Sequence, residues 1–382
     1  MDAVLKRLQQ HHDQLIETIY HAAVEPGKWQ AVLAKLVELL DGLSARLLFL
    51  DGSATAVQAS YTVNVDAGYL RRYADYYMSI CPWWSELKHK PQGRLYSTYL
   101  DFTSDQNAFH RSEFYNDWAR PQGIEHGIGG NVLATPDYTV QLLIQRSAKP
   151  GHFTREETTA VNRLLPHMRQ ALTLQHRLEK EQRFRECIHE ARRRSYLPCI
   201  ILNTQLEIVH MDERVMPSLA GWQELRIVND KIVLRDEQLN GQLQRKLKSC
   251  AAAAQGEWSP LGRGYVRLQA KGAPLELHLY PLHPAHHGVF KDGNHYLALY
   301  INDTGSHYAL NAWLVRESFG LSPAELRLAE AICNGLSLDE FAAKNGTSLN
   351  TVRSQAKQIF AKTGVRRQVE LPKCLMPYLV LR

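Results

Sequence analysis

Apolar residues recur at helical or strand spacing through most of the chain, and this pattern divides it into segments. Residues 5–20 and 29–40 place apolar side chains at helical spacing, with a Pro-Gly break between the two runs. Runs of β-branched and aliphatic residues typical of strands follow at 45–50, 132–134 and 139–145. We therefore predict a mixed α/β domain over residues 1–175.

A further helix is predicted from Thr154. Threonine with Glu157 three residues later is the pattern of a capping box. Beyond residue 175 the apolar positions thin out in a charge-dense stretch that reaches Arg194. A helix this polar is expected either to bridge two domains or to pair with a copy of itself. The alternative is a solvated linker helix that does not pair. We predict a linker helix over residues 176–196.

The next segment reads as a second domain of mixed type. A hairpin is predicted at residues 198–210, around an Asn-Thr-Gln turn, and a helix around Leu243. Three more strand-like runs follow at 264–269, 275–280 and 296–301, with a Lys271–Gly272 turn after the first. Two strands, helical material and three strands is the order of a PAS domain, and the segment resembles that fold class. We expect a PAS-like α+β domain over residues 197–304.

Three short helices are predicted near the carboxyl end, each preceded by a serine suited to capping. Ser322, with Pro323 at the first helical position, begins the first helix, and Ser337 and Ser348 begin the next two. Asn345 and Gly346 form the turn before the third helix, whose core positions are Val352, Ala356, Ile359 and Phe360. This is the order of a helix-turn-helix, in which the helix after the tight turn enters the major groove of DNA.

Charge is distributed unevenly over these helices. From residue 348 to 373 the only acid is Glu370, and the cations are Arg353, Lys357, Lys362, Arg366, Arg367 and Lys373. Arg353 and Lys357 are four residues apart and share a helix face, with Ser354 beside them. Arginine suits the O6 and N7 acceptors of guanine, so these three side chains could reach base edges together. A solvated basic helix in a small bundle is the alternative interpretation.

The same region resembles the DNA-binding module of LuxR/NarL-type regulators. The resemblance rests on LSPAE at the first helix, Gly335-Leu336-Ser337 between helices, Thr351-Val352 in the third helix and IFAKTGV at its end. It implies base contacts by Arg353, Ser354 and Lys357, and phosphate contacts by Thr351, Gln355 and Lys362. The sequence departs from the family at Gln355, where histidine is common, and at Pro372, where an aliphatic residue is usual. We expect an all-α helix-turn-helix domain that binds double-stranded DNA over residues 318–382.

Aromatic residues are concentrated in the first domain. Small-molecule pockets are mostly apolar and aromatic, so we predict a ligand site, formed by Tyr73, Tyr76, Tyr77, Trp83, Trp84, Tyr115 and Trp118. The stretch resembles the sensory domain of quorum-sensing LuxR proteins, in which an Asp-Pro pair follows a Tyr-rich helix and the Asp binds an acyl-homoserine lactone. Cys81 stands in place of that Asp, and a thiol cannot replace a carboxylate as acceptor. We therefore expect a PAS/GAF-like fold and a different ligand. The alternative to a ligand site is that these aromatic side chains only fill the core of a domain that binds no ligand.

Composition narrows the class of protein. Of 382 residues, 45% are hydrophobic and 22% are charged, as in ordinary globular proteins, and the net charge of +6 permits nucleic-acid binding. The first residues lack the apolar core of a signal peptide, and no segment approaches the length of a membrane span. We expect a cytoplasmic protein without membrane contact. The acidic pocket and strand-end Asp of a receiver domain are also missing.

Motifs for enzymes and metal sites are missing as well. The sequence contains no GxSxG, phosphate-binding glycine loop or HExxH. Its six cysteines are widely spaced and are expected to be reduced thiols, while His283, His286 and His287 have no acidic or cysteine partner nearby in sequence. We expect no enzymatic activity, no cofactor and no metal.

Together these patterns predict a multidomain, one-component transcriptional regulator. It would read promoter DNA as a homodimer, with a small molecule in the first domain modulating DNA binding or activation. The helix from Leu164 to about Arg194 would supply most of the dimer contact, because Pro372 and Pro377 weaken the last helix as a pairing surface. A regulator controlled by a protein partner through PAS-like domains is the alternative, and a cryptic enzyme is the third class.

Overall fold

The chain forms two compact units, and each is described by itself. The structure is a computed structural model that describes residues 3–103, 106–195, 197–219, 222, 224–255, 264–268, 274–283, 288–290, 295–303 and 308–381. The first unit comprises Met1–Arg185 with Ala285–Asn294, and the second comprises Glu186–Pro284 with His295–Arg382. No helix among the described residues is long and apolar enough to cross a membrane.

A five-stranded antiparallel sheet forms the centre of the first unit. Its strands, in chain order, are β1 Ser44–Asp51, β2 Val57–Val63, β3 Tyr96–Ser97, β4 His126–Ala134 and β5 Tyr138–Arg146. Their spatial order is β2-β1-β5-β4-β3. Opposite Arg46 in the register stand Thr62 of β2 and Leu143 of β5.

Helices cover both faces of this sheet. They are α1 Ala3–Gln10, α2 His12–Val24, α3 Trp29–Leu39, α4 Ala67–Arg72, α5 Met78–Ile80, α6 Pro82–Leu87, α7 Gln106–Arg111, α8 Arg155–Asn162 and α9 Leu165–Arg194, the last ending in the second unit. Two π-helical turns, Tyr73–Tyr77 and Phe114–Ala119, lie among the short helices. Single π turns are rare and occur frequently at functional sites.

Neighbouring side chains of β1 lie in different hydrophobic cores, because successive residues of a strand point to opposite faces of the sheet. Leu47 and Phe49 join the core formed with α1, α2, α3, α8 and the start of α9. Leu48 and Leu50 join the aromatic cluster on the other face. β1 is therefore buried on both sides, and only Asp51 at its end is partly exposed.

The second unit contains another five-stranded antiparallel sheet, in the order β10-β11-β12-β6-β7, and a separate two-stranded hairpin of β8 and β9. The bounds are β6 Cys199–Asn203, β7 Ile208–Met211, β8 Leu225–Val228, β9 Lys231–Leu234, β10 Gly264–Leu268, β11 Leu275–Leu282 and β12 Tyr296–Asp303. The helices here are α10 Val215–Leu219 and α11 Glu237–Ala254. Leu243 and Leu247 of α11 are buried in the core of this sheet, as their spacing predicts.

The carboxyl-terminal region is helical. It contains α12 Ala312–Phe319, α13 Pro323–Cys333, α14 Leu338–Asn345, α15 Leu349–Thr363 and α16 Leu371–Leu375. Two short strands, β13 Tyr308–Leu310 and β14 Leu379–Leu381, flank these helices and pair antiparallel. The region has a core of its own, in which Leu328, Val352 and Leu371 are fully buried.

This architecture agrees with the mixed α/β expectation and with a helical carboxyl-terminal region. The capping boxes at Thr154 and Ser322 are present, but the single helix predicted from Thr154 to about Arg194 is divided, since α8 ends at Asn162 and α9 runs from Leu165 to Arg194. The predicted boundary at residues 175 and 176 falls inside α9, and the predicted domain bounds stay a prediction. The predicted turn at Lys271 and Gly272 lies outside the described residues.

Candidate functional site

The residues of the preceding turn and of the helix N-cap position α15. Gly346 ends α14 with φ +61°, a left-handed conformation that glycine adopts without steric cost. Ser348 then caps α15, its Oγ accepting from the backbone N of Thr351 at 3.1 Å. The chain therefore turns sharply between the two helices at the predicted position.

Burial along α15 divides it into two faces. Val352, Ala356 and Ile359 are buried in the core of the helical region. The opposite face exposes four of the six predicted DNA-contacting residues, and Gln355 is half-buried at its border; the exposed four are Thr351, Arg353, Ser354 and Lys357. The predicted helix phase is confirmed by this burial, while the DNA contacts themselves stay a prediction.

Lys362, the sixth predicted DNA contact, is engaged within the protein. Its Nζ donates to Glu325 Oε2 at 2.7 Å and to Gly320 O at 3.0 Å. Glu325 Oε2 also accepts from the backbone N of Ser322, completing the capping box of α13. Burial alone would raise the pKa of Glu325, but the hydrogen bonds from Lys362 and Ser322 outweigh burial and lower it. Lys362 thus differs from Arg353 and Lys357 in having an acidic partner within the protein, and its predicted phosphate contact stays a prediction.

Two cations on the exposed face of α15 differ from Lys362 in this respect. Arg353 and Lys357 form no salt bridge with any residue the structure describes, and both are exposed. The acids nearby are committed to backbone donors: Glu340 Oε2 accepts from Ser337 N at 2.8 Å, and Glu370 Oε2 accepts from Arg366 N at 2.8 Å. The exposed face of α15 therefore carries uncompensated positive charge.

A second candidate site lies in the aromatic cluster of the first unit. A cavity of about 20 Å³ lies between the sheet and the short helices. Its lining is apolar and aromatic except for a few polar groups, and it consists of Arg46, Tyr73, Cys81, Trp83, Trp84, Leu87, Thr98, Phe114, Gly127, Ile128, Gly129, Leu143 and Gln145.

The seven predicted ligand residues occupy different positions around this cavity. Tyr73, Trp83 and Trp84 line it. Trp118 is fully buried in the same cluster, with its ring 5.1 Å from that of Tyr73.

The other three predicted residues lie farther out. Tyr77 and Tyr115 pack partly buried at the edge of the cluster, and Tyr115 donates to Glu125 Oε2 at 2.9 Å. Tyr76 is 48% exposed and does not line the cavity. Whether any of the seven contacts a ligand stays a prediction.

Cys81 lies at the cavity wall, immediately before α6. It is buried, and burial raises the pKa of its thiol to about 12 despite hydrogen bonds from the backbone of Trp84 and Trp83. The side chain is therefore a neutral thiol at neutral pH, and it provides no negative charge to the cavity.

Arg46 is the charged lining residue among those that the sequence did not predict. It is 1% exposed, and its guanidinium carbon lies 4.6 Å from the ring centroid of Tyr73 and 4.8 Å from that of Trp118. Cation–π contacts of this kind stabilise a desolvated guanidinium. A signal was present in the sequence: Arg46 interrupts a run of apolar residues long enough to be buried on both faces.

Metal ligands do not cluster in the described parts of the chain. No group of three His, Cys, Asp or Glu side chains among those residues is placed to hold a metal ion. His286 and His287 lie outside the described residues. The six cysteines are free thiols, four of them buried.

Comparison with known proteins gives distant structural likenesses only. No family model and no curated protein matches the sequence. The LBD domain of VqsR from Pseudomonas aeruginosa is 14% identical, with a TM-score of 0.36; the match covers 43% of this chain and 96% of that domain. SdiA from Escherichia coli is 11% identical over 91% of this chain and 90% of its own, with a TM-score of 0.29.

CepR2 from Burkholderia cenocepacia, an N-acylhomoserine lactone dependent LuxR family transcription factor, is 14% identical. That match covers 43% of this chain and 94% of CepR2, with a TM-score of 0.27. At such scores these likenesses carry no argument about the function of this chain.

Proposed function

We propose that this protein is a transcriptional regulator that binds promoter DNA through α15 of a carboxyl-terminal helix-turn-helix. The proposal rests on one observation: α15 is buried on one face and exposed on the other. Its inner face is fixed in the core by Val352 and Ile359, while Arg353 and Lys357 are exposed and form no ion pair within the described part of the chain. A rigid helix with free cations four residues apart suits the major groove, where arginine contacts guanine.

The direct test is binding of the full chain to promoter fragments from its source genome, measured by fluorescence anisotropy over a range of salt. Each phosphate contact releases counterions from DNA, so the logarithm of the affinity should fall linearly with the logarithm of salt concentration. Absence of binding to every fragment at low salt would contradict the proposal.

We propose further that the aromatic cavity of the first unit, a domain of PAS/GAF-like type, holds a small molecule that modulates DNA binding. A cavity with an apolar lining and a few polar groups is the usual form of such sites. The second sheet, whose strand and helix order resembles a PAS domain, supports the alternative of control by a protein partner. Small molecules released from the purified protein, identified by mass spectrometry, would favour the cavity.

A homodimer is proposed because a single recognition helix makes few base contacts, and paired half-sites increase discrimination. The proposed contact is the outer face of α9. Leu174 and Leu178 are 41% and 40% exposed there, four residues apart and therefore on one helix face. Exposed apolar residues at this spacing suit pairing with a second copy.

Sedimentation of the full chain tests this contact. Leu174→Glu with Leu178→Glu should convert a dimer to a monomer. Val24→Glu, which changes a still more exposed apolar residue at the end of α2, serves as the control. A double variant that stays dimeric would place the dimer contact elsewhere.

A further inference from the structure

We propose that Arg46 binds the carboxylate of a small organic acid in the aromatic cavity, so that the protein senses a carboxylate-bearing ligand. This inference rests on the proposed ligand-sensing function and names the ligand class. The residues involved lie within the first unit: Arg46 on β1, Tyr73 and Trp118 on the π turns, and Trp83 and Trp84 on α6.

The first observation is that two of the three guanidinium nitrogens of Arg46 have no hydrogen-bond partner among the residues the structure describes. Its Nε and Nη1 atoms are buried and make no hydrogen bond, although the side chain is almost wholly inaccessible to solvent. The great majority of buried polar groups in proteins have a partner, and an unpaired buried charge is costly. Stacking on Tyr73 and Trp118 offsets part of this cost, but ring faces accept no N–H bonds as strong as those to an oxygen anion.

The second observation is that no carboxylate among the described lining residues faces this guanidinium. Burial lowers the pKa of Arg46 most, and the side chains that act against burial are Tyr73 and Cys81. Burial raises the pKa of both of these groups, that of Cys81 to about 12, so both are neutral at neutral pH. Arginine remains protonated under these conditions. The cavity therefore holds a cation without an anion.

A second buried arginine in the same unit provides the comparison. Arg146 is as inaccessible as Arg46, yet its Nη1 and Nη2 donate to Glu157 at 3.0 and 2.7 Å, and its Nε donates to Leu40 O at 2.8 Å. This fold therefore does provide a buried arginine with a full set of acceptors when the role is structural. At Arg46 those acceptors are left for a ligand to supply.

The remaining lining determines which anion fits. Thr98 Oγ1 already accepts from Gly127 N at 3.0 Å, and Gln145 Oε1 accepts from Ser44 Oγ at 2.8 Å. Arg46 is the single cationic side chain among the described lining residues. One cation in an aromatic wall suits a monoanionic carboxylate with an apolar or aromatic body, whereas a phosphate dianion needs more positive charge.

The small size of the cavity means that its wall must move when a ligand binds. A volume of about 20 Å³ holds roughly one water molecule, so even acetate must open the wall. The wall opposite the sheet consists of α6 with the preceding Cys81 and of the two π turns, each of these elements five or six residues long. Short segments of this kind can shift without breaking a long helix, and the sheet that carries Arg46 stays in place.

The experiment measures thermal unfolding of the full chain with acetate, butanoate, octanoate and benzoate, each beside its uncharged amide. At saturating concentration, at least one carboxylate should raise the unfolding midpoint by about 2–4 °C more than its amide does. The proposal is overturned if no carboxylate exceeds its amide.

Two variants link the response to Arg46. Arg46→Met keeps the side-chain length, and it should abolish the difference between carboxylate and amide while raising the midpoint of the free protein, because an unpaired buried charge is removed. Cys81→Asp supplies an internal carboxylate at a helix cap, where aspartate is well tolerated, and it should abolish the response too. A carboxylate response that persists in either folded variant overturns the proposal.

DNA binding of the same preparations separates this inference from the proposed function. If promoter fragments bind the wild-type chain and Arg46→Met alike while no carboxylate acts, the DNA-binding function stands and the ligand class is wrong. If DNA does not bind but carboxylates act through Arg46, the ligand inference stands and the proposed DNA-binding function fails.

Discussion

Lys362 Nζ lies 2.7 Å from Glu325 Oε2 and ties the end of α15 to the beginning of α13. The glutamate side chain is only 10% exposed and the lysine 35%, so the pair is partly shielded from solvent. Because Glu325 also caps α13 through Ser322 N, one carboxylate stabilises two helices of the carboxyl-terminal region.

Lys362→Ala should lower the free energy of unfolding of this region by about 1 kcal/mol, since it leaves the partly buried carboxylate of Glu325 without its cation. Any loss of DNA affinity that accompanies it should be equal for all sequences. Chemical denaturation followed by circular dichroism measures the effect. Lys357→Ala, the same substitution at an unpaired lysine of α15, should leave stability unchanged, and equal losses in the two variants would contradict the role of the pair.

Lowering the pH should remove the stabilisation that the Lys362–Glu325 ion pair provides. The pKa of Glu325 in the folded protein lies below its ordinary value of 4.5, so its stabilising effect is complete above that pH and is lost as the pH falls through the folded pKa. The stability difference between wild type and Lys362→Ala should therefore be constant from pH 5 to pH 7 and shrink below about pH 4. A difference that does not change down to pH 3 would show that the ion pair does not cause it.

Arg353→Ala should weaken binding to the preferred DNA site by about 1–3 kcal/mol and relax sequence preference there, because a base-edge contact is lost. Binding to unrelated DNA should change little. Competition assays against mutated sites measure both. Arg327→Ala, an exposed arginine on α13, is the matched control, and an equal effect of the two substitutions would mean that Arg353 contributes only charge.

Glu157→Gln should destabilise the first unit by about 3–5 kcal/mol, because it removes the anion from the buried Arg146 and leaves that charge uncompensated. Glu156→Gln, next to it on the exposed side of α8, should change stability by less than about 0.5 kcal/mol. Urea denaturation of the full chain compares them, and a mild loss at Glu157 would show that the pair is not essential to this fold.

The helical carboxyl-terminal region could be predicted closely because its signals are local. Ser337 and Ser348, each followed by helix-forming residues at core spacing, fix α14 and the start of α15 within a few residues of sequence. The strands of the first unit were harder to predict from the sequence. The amino-terminal half of β4 carries Gly127, Gly129 and Gly130, and glycine weakens the strand pattern. A Cβ on Gly130 would clash with the carbonyl of Arg94, a contact between distant segments that no local pattern encodes.

Only some of the seven predicted aromatic residues line the cavity, and the π turn explains why Tyr76 does not. An α-helical period places Tyr76 and Tyr77 on the same face as Tyr73. In a π turn the repeat is longer, since each hydrogen bond spans five residues. The buried residue after Tyr73 is accordingly Met78, and Tyr76 points to solvent. Arg46 was missed for another reason, because its lack of acceptors depends on residues far away in sequence.

The pairing of β13 with β14 has a mechanical consequence. Tyr308 stands opposite Leu381 and Leu310 opposite Leu379, so the chain enters and leaves the helical region at the same end of a two-stranded ribbon. A force pulling these two ends apart loads the ribbon in the unzipping direction, and its hydrogen bonds break one after another instead of together. Tension on the chain would therefore open the ribbon before it disturbs the packed helices behind it.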